Sequence, residues 1–255
     1  MKRGRKRRRI DLLLVERGLA ESRERAQALL MAGQVYLDGM PVTKAGALVA
    51  PDAPLEVRAG LPYVGRGGIK LAHALDTWGL DVSGLVALDV GASTGGFTDC
   101  LLQRGACRVY ALDVGRGQLD HRLRRDPRVV VMERVNARYP FLLPEAVDLA
   151  TVDVSFISLR LVLPTVVQHL KPGGHLVALV KPQFEARQEQ VGRRGVVGDP
   201  RVHAEVLGRM VVWSVENGFR IRGLAPSPIL GDAGNREFFL LLRHEPNSNE
   251  RGLPP

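Results

Sequence analysis

The chain has 255 residues, 45% of them hydrophobic, and a formal net charge of +9 at pH 7. That length holds one good-sized α/β domain plus a small appendage. No stretch of about 18 uncharged apolar residues occurs and no apolar segment follows the basic N-terminus, so neither a transmembrane helix nor a secretory signal is expected, and the expected setting is cytoplasmic. Cys100 and Cys107 form no CxxC and have no His cluster beside them. They read as small core residues in a reducing compartment, and no metal site is expected.

The charge is uneven. Residues 1–60 carry 12 Lys/Arg against 7 Asp/Glu, an asymmetry that points to a polyanion gripped by the N-terminal part. Residues 1–9 include Lys2-Arg3-Gly4-Arg5-Lys6-Arg7-Arg8-Arg9, a mobile basic arm suited to sequence-blind phosphate contact through counterion release.

Helical spacing of Ile10, Leu13 and Leu14 predicts a helix to Arg17, closed by Gly18. Ser22 reads as the N-cap of a second helix with Ala26, Leu29 and Leu30 inward and Gly33 at its end. Arg23 and Arg25 lie in its first turn, opposing the macrodipole, a hint of ligand contact. Gln34–Leu37, Asp38-Gly39 and Met40–Thr43 read as a hairpin, and Leu55–Val57 as a last short strand. Residues 10–57 thus form a compact module, and 58–63 a linker broken by Gly60 and Pro62.

A helix from Ile69 to Trp78 follows Gly65-Arg66-Gly67-Gly68, which places Lys70 at a helix start, where a cation is disfavoured. The apolar run Leu85–Val90 is a strand, followed by a Gly-rich turn and a helix from Phe97 to Arg104. Strand, Gly loop and helix N-terminus together hold an anionic or nucleoside ligand. The spacing Asp89-x-Gly91-x-x-x-Gly95 is neither a pyrophosphate fingerprint nor a phosphate loop and suits S-adenosylmethionine (SAM) better. Asp89, Gly91, Ala92, Ser93, Gly95, Gly96 and Phe97 are therefore candidate cofactor residues. Arg108–Val114 is a second strand, and Asp113 falls 22 residues after Gly91, where a ribose diol is usually held. Glu133 and Asn136, at the end of the strand Val129–Met132, are in reach of adenine or ribose.

Val147–Val152 and His175–Val180 are further strands, the latter after a Lys171-Pro172-Gly173-Gly174 turn. A polar loop, 186–198, carries Arg187, Arg193 and Arg194. Asp199 and Pro200 open a helix to Asn217, closed by Gly218. Phe219–Leu224 and Glu237–Arg243 complete the strands, and 246–255 is a polar tail. Alternating strands and helices imply a mostly parallel sheet with ligands at its C-terminal edge. Asp153 and Lys181 fall next to strand ends there. If the last strand runs antiparallel, Glu237 joins the same edge.

Two resemblances add to this reading. The run from Leu14 through Arg17-Gly18-Leu19-Ala20, Ser22-Arg23, Ala26, Leu29, Gly33, Val35 and Leu37-Asp38-Gly39 resembles the RNA-binding domain of ribosomal protein S-four, pseudouridine synthases and tyrosyl-tRNA synthetases. It implies an RNA face bearing Arg17, Arg23 and Arg25; Arg5 and Arg7 of the basic arm, and Arg66, are further candidate RNA contacts. Lys70 in Gly-Gly-Ile-Lys-Leu, Asp153 in Asp-Val-Ser-Phe-Ile-Ser, Lys181 in Lys-Pro-Gln-Phe-Glu and Glu237 in Gly-Asn-Arg-Glu-Phe resemble the Lys-Asp-Lys-Glu tetrad of FtsJ-type 2′-O-ribose methyltransferases. With both parts present, residues 10–243 are similar to the TlyA family, also called hemolysins; Gly65 stands where that family often has Ser.

The resemblance implies an α/β fold: a Rossmann-like SAM-dependent methyltransferase sheet of seven strands, the last antiparallel, over residues 64–245, behind a small N-terminal α/β RNA-binding domain. It implies SAM as cofactor, ribosomal RNA of the small or large subunit as partner, and cytidine 2′-hydroxyl as acceptor, with Lys181 as base, Lys70 and Asp153 in support and Glu237 positioning. A lysine can take a hydroxyl proton when burial and nearby cations lower its pKa. Two other readings stand beside this: a pore-forming hemolysin, which needs a bilayer-active segment, and a non-catalytic ribosome-assembly factor with a relic Gly loop. The short linker also permits coupling of RNA contact to SAM binding.

Overall fold

The computed structural model describes residues 7–31, 34–42, 44–57 and 62–244. The chain divides into two compact units, Met1–Pro62 and Tyr63–Pro255. The expectations for Arg5, for the helix end at Gly33, for most of the linker and for the tail fall outside the described residues.

In the first unit, β1 (Arg8–Arg9) leads into α1 (Ile10–Glu16) and α2 (Arg23–Met31), followed by β2 (Val35–Leu37), β3 (Met40–Pro41), β4 (Leu48–Val49) and β5 (Leu55–Val57). The strand order β3-β2-β5 makes one small sheet, and β1 pairs antiparallel with β4. Ile10, Leu14, Ala26, Leu30 and Val35 are fully buried between helices and sheet. Ser22 Oγ accepts from Arg25 N at 3.1 Å, which is why the helix starts at Arg23. The end of the basic arm is not free: Arg8 and Arg9 pair with Val49 and Leu48. Burial of Ile10 and a hold on Arg9 by Asp11 fix them. Asp11 is fully buried and accepts from Arg9, at 3.0 and 2.8 Å, and from Arg23 and Gln27, each at 3.1 Å. The Arg9 guanidinium foremost holds its carboxyl far below the usual carboxylate range.

The second unit runs α3 (Arg66–Trp78), β6 (Val86–Val90), α4 (Gly96–Gln103), β7 (Arg108–Asp113), α5 (His121–Arg125), β8 (Val129–Glu133), β9 (Val147–Val152), α6 (Leu163–Val166), β10 (Leu170–Val180), α7 (Pro182–Glu185), α8 (Pro200–Glu216), β11 (Phe219–Pro226) and β12 (Phe238–His244). Its seven-stranded sheet has the order β11-β12-β10-β9-β6-β7-β8. β12 runs antiparallel to both neighbours, while β6 to β10 pair in parallel. Both sheet faces are covered. Leu71, Leu75, Leu101 and Phe239 pack on one side, and Leu88, Tyr110, Leu163 and Met210 on the other. That is why the central strands read as continuous apolar runs.

Some expected boundaries moved. α3 starts at Arg66, so Lys70 stands in its second turn rather than at its start. Gly67 and Gly68 belong to the helix. A Cβ on Gly68 would lie 2.2 Å from the Tyr63 ring, and one on Gly96 would lie 2.9 Å from Gly68 N. These glycines let α3 and α4 touch backbone to backbone. The Lys171–Gly174 turn is an irregularity inside β10, whose register with β9 shifts between Leu170 and His175. Cys100 is buried as expected, but Cys107 is exposed. It sits ahead of β7, where the chain is still at the surface.

Candidate active site

The chain adds β7 and β8 on one side of β6 and then returns to place β9 on the other. Loops leaving β6 and β9 therefore diverge at the C-terminal edge and open a crevice between them. Gly91, after β6, has φ +84°, and a Cβ there would lie 2.3 Å from the Asp153 carbonyl oxygen. Only glycine lets the two loops meet this closely.

A cavity of about 330 Å³ opens beside this contact. Leu112, Val114, Val135, Ala137, Ile157 and Val162 give it apolar walls, and Ser93, Asp113 and Asn136 its polar groups. Asp113 accepts from Ser93 N at 2.8 Å and from Gly115 N at 2.7 Å. It thereby shapes the Gly loop, with lone pairs left for a ligand hydroxyl. Ala92, Gly96 and Phe97 line a smaller adjoining space of about 130 Å³, shared with Gly91 and Ser93. Asp89, Gly95 and Glu133 line none of these cavities. Asp89 is fully buried beneath the loop, accepting from Thr98 Oγ1 at 2.7 Å and Thr151 Oγ1 at 3.0 Å. Burial pushes its carboxyl up to about 6. Glu133 accepts from Gly117 N at 2.7 Å and pairs with Arg124. Gly95, at φ +98°, takes the cap of α4 against the Leu123 side chain.

A second cavity, about 290 Å³, shares Gly91, Ser93, Asp153, Ser155 and Phe156 with the first. Lys70, Asp153, Lys181 and Glu237 all line it. Lys181 follows β10 and Glu237 precedes the antiparallel β12, whose Phe238 pairs with Val180, so both arrive at one edge. Lys70 comes from α3. Its Nζ lies 2.5 Å from Glu237 Oε2, and both side chains are buried. Lys181 Nζ lies 2.7 Å from Asp153 Oδ1 and donates to Ser155 Oγ at 2.8 Å. The tetrad is thus two lysine–carboxylate pairs on one cavity.

The spacing of charges gave no sign of the aromatic residues. Phe156 is 91% exposed, with φ +63°, and its ring centroid is 5.1 Å from that of Phe184. Both line the second cavity. Glu185 was not singled out either. It is buried and accepts from Ser158 Oγ at 2.7 Å and Leu159 N at 2.6 Å, tying the turn after Lys181 to the loop after Asp153. Burial pushes its carboxyl up. The signal for both lay in the quoted Asp-Val-Ser-Phe and Lys-Pro-Gln-Phe-Glu motifs, read there only for Asp153 and Lys181.

Of the arginines expected to meet RNA, Arg7 and Arg25 are exposed. Arg17 donates to the Ala53 carbonyl at 2.5 Å and to that of Pro51, and Arg23 holds Asp11. These two carry structural bonds from an exposed position. Arg66 lines the second cavity and donates to the Leu230 carbonyl. No helix among the described residues is long and apolar enough to cross a membrane.

Comparison with known proteins agrees with this fold. Residues 63–244 match the model of the FtsJ-like methyltransferase family, and residues 8–54 match the S4 domain. A Bacillus subtilis (strain 168) protein, YqxC, whose name proposes it as an rRNA methyltransferase, is 51% identical over 251 residues, 97% of this chain and 89% of its own. The Mycobacterium tuberculosis (strain ATCC 25618 / H37Rv) protein named 16S/23S rRNA (cytidine-2′-O)-methyltransferase TlyA is 47% identical, covering 93% of this chain and 90% of its own. A solved chain from Streptococcus thermophilus, proposed by name to be a hemolysin, is 43% identical with a TM-score of 0.73, covering 95% of this chain and 90% of that one. The chain belongs to the FtsJ-like methyltransferase family, in the branch where an S4 domain precedes the methyltransferase unit, together with TlyA.

Proposed function

We propose that this protein transfers a methyl group from SAM to the 2′-hydroxyl of a cytidine in ribosomal RNA of the small or large subunit, with Lys181 as general base. One observation carries the reading. The two lysine–carboxylate pairs line a cavity that shares Gly91, Ser93 and Asp153 with the apolar slot beside Asp113. A nucleoside donor and a ribose acceptor held in these two cavities meet at the shared wall.

The slot fits the donor. Its volume lies in the range of small-molecule sites, its walls suit an adenine ring, and Asp113 and Asn136 offer groups for hydroxyls and ring nitrogens. SAM, when bound, supplies an electrophilic methyl on sulfur. The chain's own groups do the rest. Glu237 fixes Lys70, and the two lysines place positive charge beside the alkoxide that develops on the ribose oxygen. As Lys181 Nζ hands one of its protons to Asp153 Oδ1, 2.7 Å away, its freed lone pair takes the hydroxyl proton, and Ser155 Oγ holds Nζ in place. Phe156, exposed at the rim, presents a ring face on which an unstacked base can lie. The name of the Mycobacterium tuberculosis relative supports cytidine in rRNA as the acceptor. The S4 domain supports a structured RNA partner.

The test is a map of ribose methylation on rRNA from cells with and without this protein. A cytidine 2′-O-methyl present only with the protein is expected; identical maps would refute the assignment.

A further inference from the structure

The loop between α7 and α8 carries two adjacent exposed arginines, Arg193 and Arg194, with no side-chain hydrogen bond or ion pair among the described residues. Such a pair is ordinarily a solvated tip. This one is held from beneath at several points. Val197 is buried, its N–H donates to Asn235 Oδ1 at 3.0 Å and its carbonyl lies 2.7 Å from His203 Nε2. Asn235 Nδ2 donates to the Gly195 carbonyl at 2.9 Å. Gly192 N donates to the Val196 carbonyl at 2.9 Å and closes the turn. Asn235 and His203 are themselves buried polar residues. Arg194 takes a left-handed backbone, φ +70°, which a residue with a side chain adopts only when its surroundings impose it.

The clamp also ties the segment just after the arginines to the chain that leads into Glu237. Asn235 precedes Glu237, the partner of Lys70, by two residues. At about 3.3 Å per residue of extended chain, Asn235, which holds the loop at Gly195 and Val197, lies no more than roughly 7 Å along the backbone from Glu237, which lines the acceptor cavity. Two nearby acids are engaged elsewhere. Asp199 caps α8 through Arg201 N, and Glu205 is bonded by Gln190 and Arg209. We propose that Arg193 and Arg194 form a phosphate grip on the RNA strand next to the acceptor ribose, positioned by Asn235 and His203. The grip rests on the reading of the adjoining cavity as the ribose site. It is the methyltransferase unit's own hold on RNA, separate from the S4 domain.

The experiment uses the full chain, 16S and 23S rRNA transcripts, and binding measured from 50 to 200 mM salt. The double variant Arg193→Ala/Arg194→Gly removes both charges, and Gly accepts the left-handed backbone. The slope of log affinity against log salt should fall in magnitude by about 1.4–1.8, from 0.7–0.9 per lost phosphate contact. SAM affinity should stay within twofold, and Arg193→Lys/Arg194→Lys should keep the parent slope. An unchanged slope and affinity in the double variant, in a protein that still methylates rRNA, overturns the grip. Absence of ribose methylation by the parent protein instead overturns the functional reading, and is scored separately.

Discussion

Lys70 Nζ and Glu237 Oε2 lie 2.5 Å apart, although 167 residues separate them in sequence. The pair is buried, so its charges depend on each other and not on water. Gly231 leaves room for it, since a Cβ there would lie 1.9 Å from Glu237 Oε1. Gly231→Ala should push the carboxylate aside without touching the donor slot. A misplacement near 1 Å can cost about 10²-fold in rate, so methyl transfer should drop by 10- to 100-fold with SAM affinity retained. Single-turnover kinetics and calorimetry read the two effects. A variant with parental kcat would mean that Glu237 does not position the acceptor.

Phe156 is almost fully exposed, so Phe156→Ala should leave thermal stability unchanged. Loss of one stacked base costs about 1–3 kcal/mol. RNA methylation should therefore fall by about 5- to 150-fold, while Phe156→Tyr keeps the ring and the rate. Equal rates for the alanine and tyrosine variants would count against stacking.

How much of this was legible beforehand differs by element. The Gly loop at the crevice and the strand ends beside Asp153 and Lys181 were readable from apolar runs and Gly spacing, whereas the antiparallel last strand and the joining of Lys70 and Glu237 to that edge came from the resemblance. The start of α3 was not readable. Gly67 and Gly68 read as loop, but they serve helix contact, and that depends on Tyr63 and Gly96 in space. Asp89 read as a ligand residue because it borders the Gly loop. Strand alternation instead turns it down onto Thr98 and Thr151. Arg17 and Arg23 read as RNA-facing charges, and no local pattern announces the Ala53 carbonyl or the buried Asp11 that they hold. Phe156 carries no periodicity at all, because its role rests on an exposed left-handed turn.

Asp89 makes stability depend on pH. Its folded pKa, about 6, lies above the ordinary 3.8, so the folded state holds its proton more tightly than the unfolded state. This contribution is full below about pH 4 and is lost as pH rises towards 6. Asp89→Asn cannot ionise, so denaturation of the variant should lose that part of the pH dependence. A parental profile between pH 4 and 6 would show that Asp89 does not titrate there.

Asp11 acts in the opposite sense. Its folded pKa lies below the ordinary value, so its contribution is present above about pH 4 and disappears in acid. Asp11→Ala leaves Arg9, Arg23 and Gln27 without their shared acceptor and should cost the first unit about 1–3 kcal/mol. Trp78 and Trp213 both lie in the second unit and do not report on the first. Amide exchange over residues 10–57 is the suitable probe. Unchanged protection would remove Asp11 from the account of that unit's stability.

The central claim is that Lys181 takes the ribose proton beside a donor held over Gly91. It is tested most directly by methyl incorporation into rRNA with Lys181→Ala, alongside calorimetric SAM binding by the same preparation. The account predicts a loss of about 10²–10⁴-fold in rate, with SAM affinity retained and the parental product mapped to a cytidine 2′-oxygen. Parental activity in Lys181→Ala, or a parental methyl group found on the base, would contradict it.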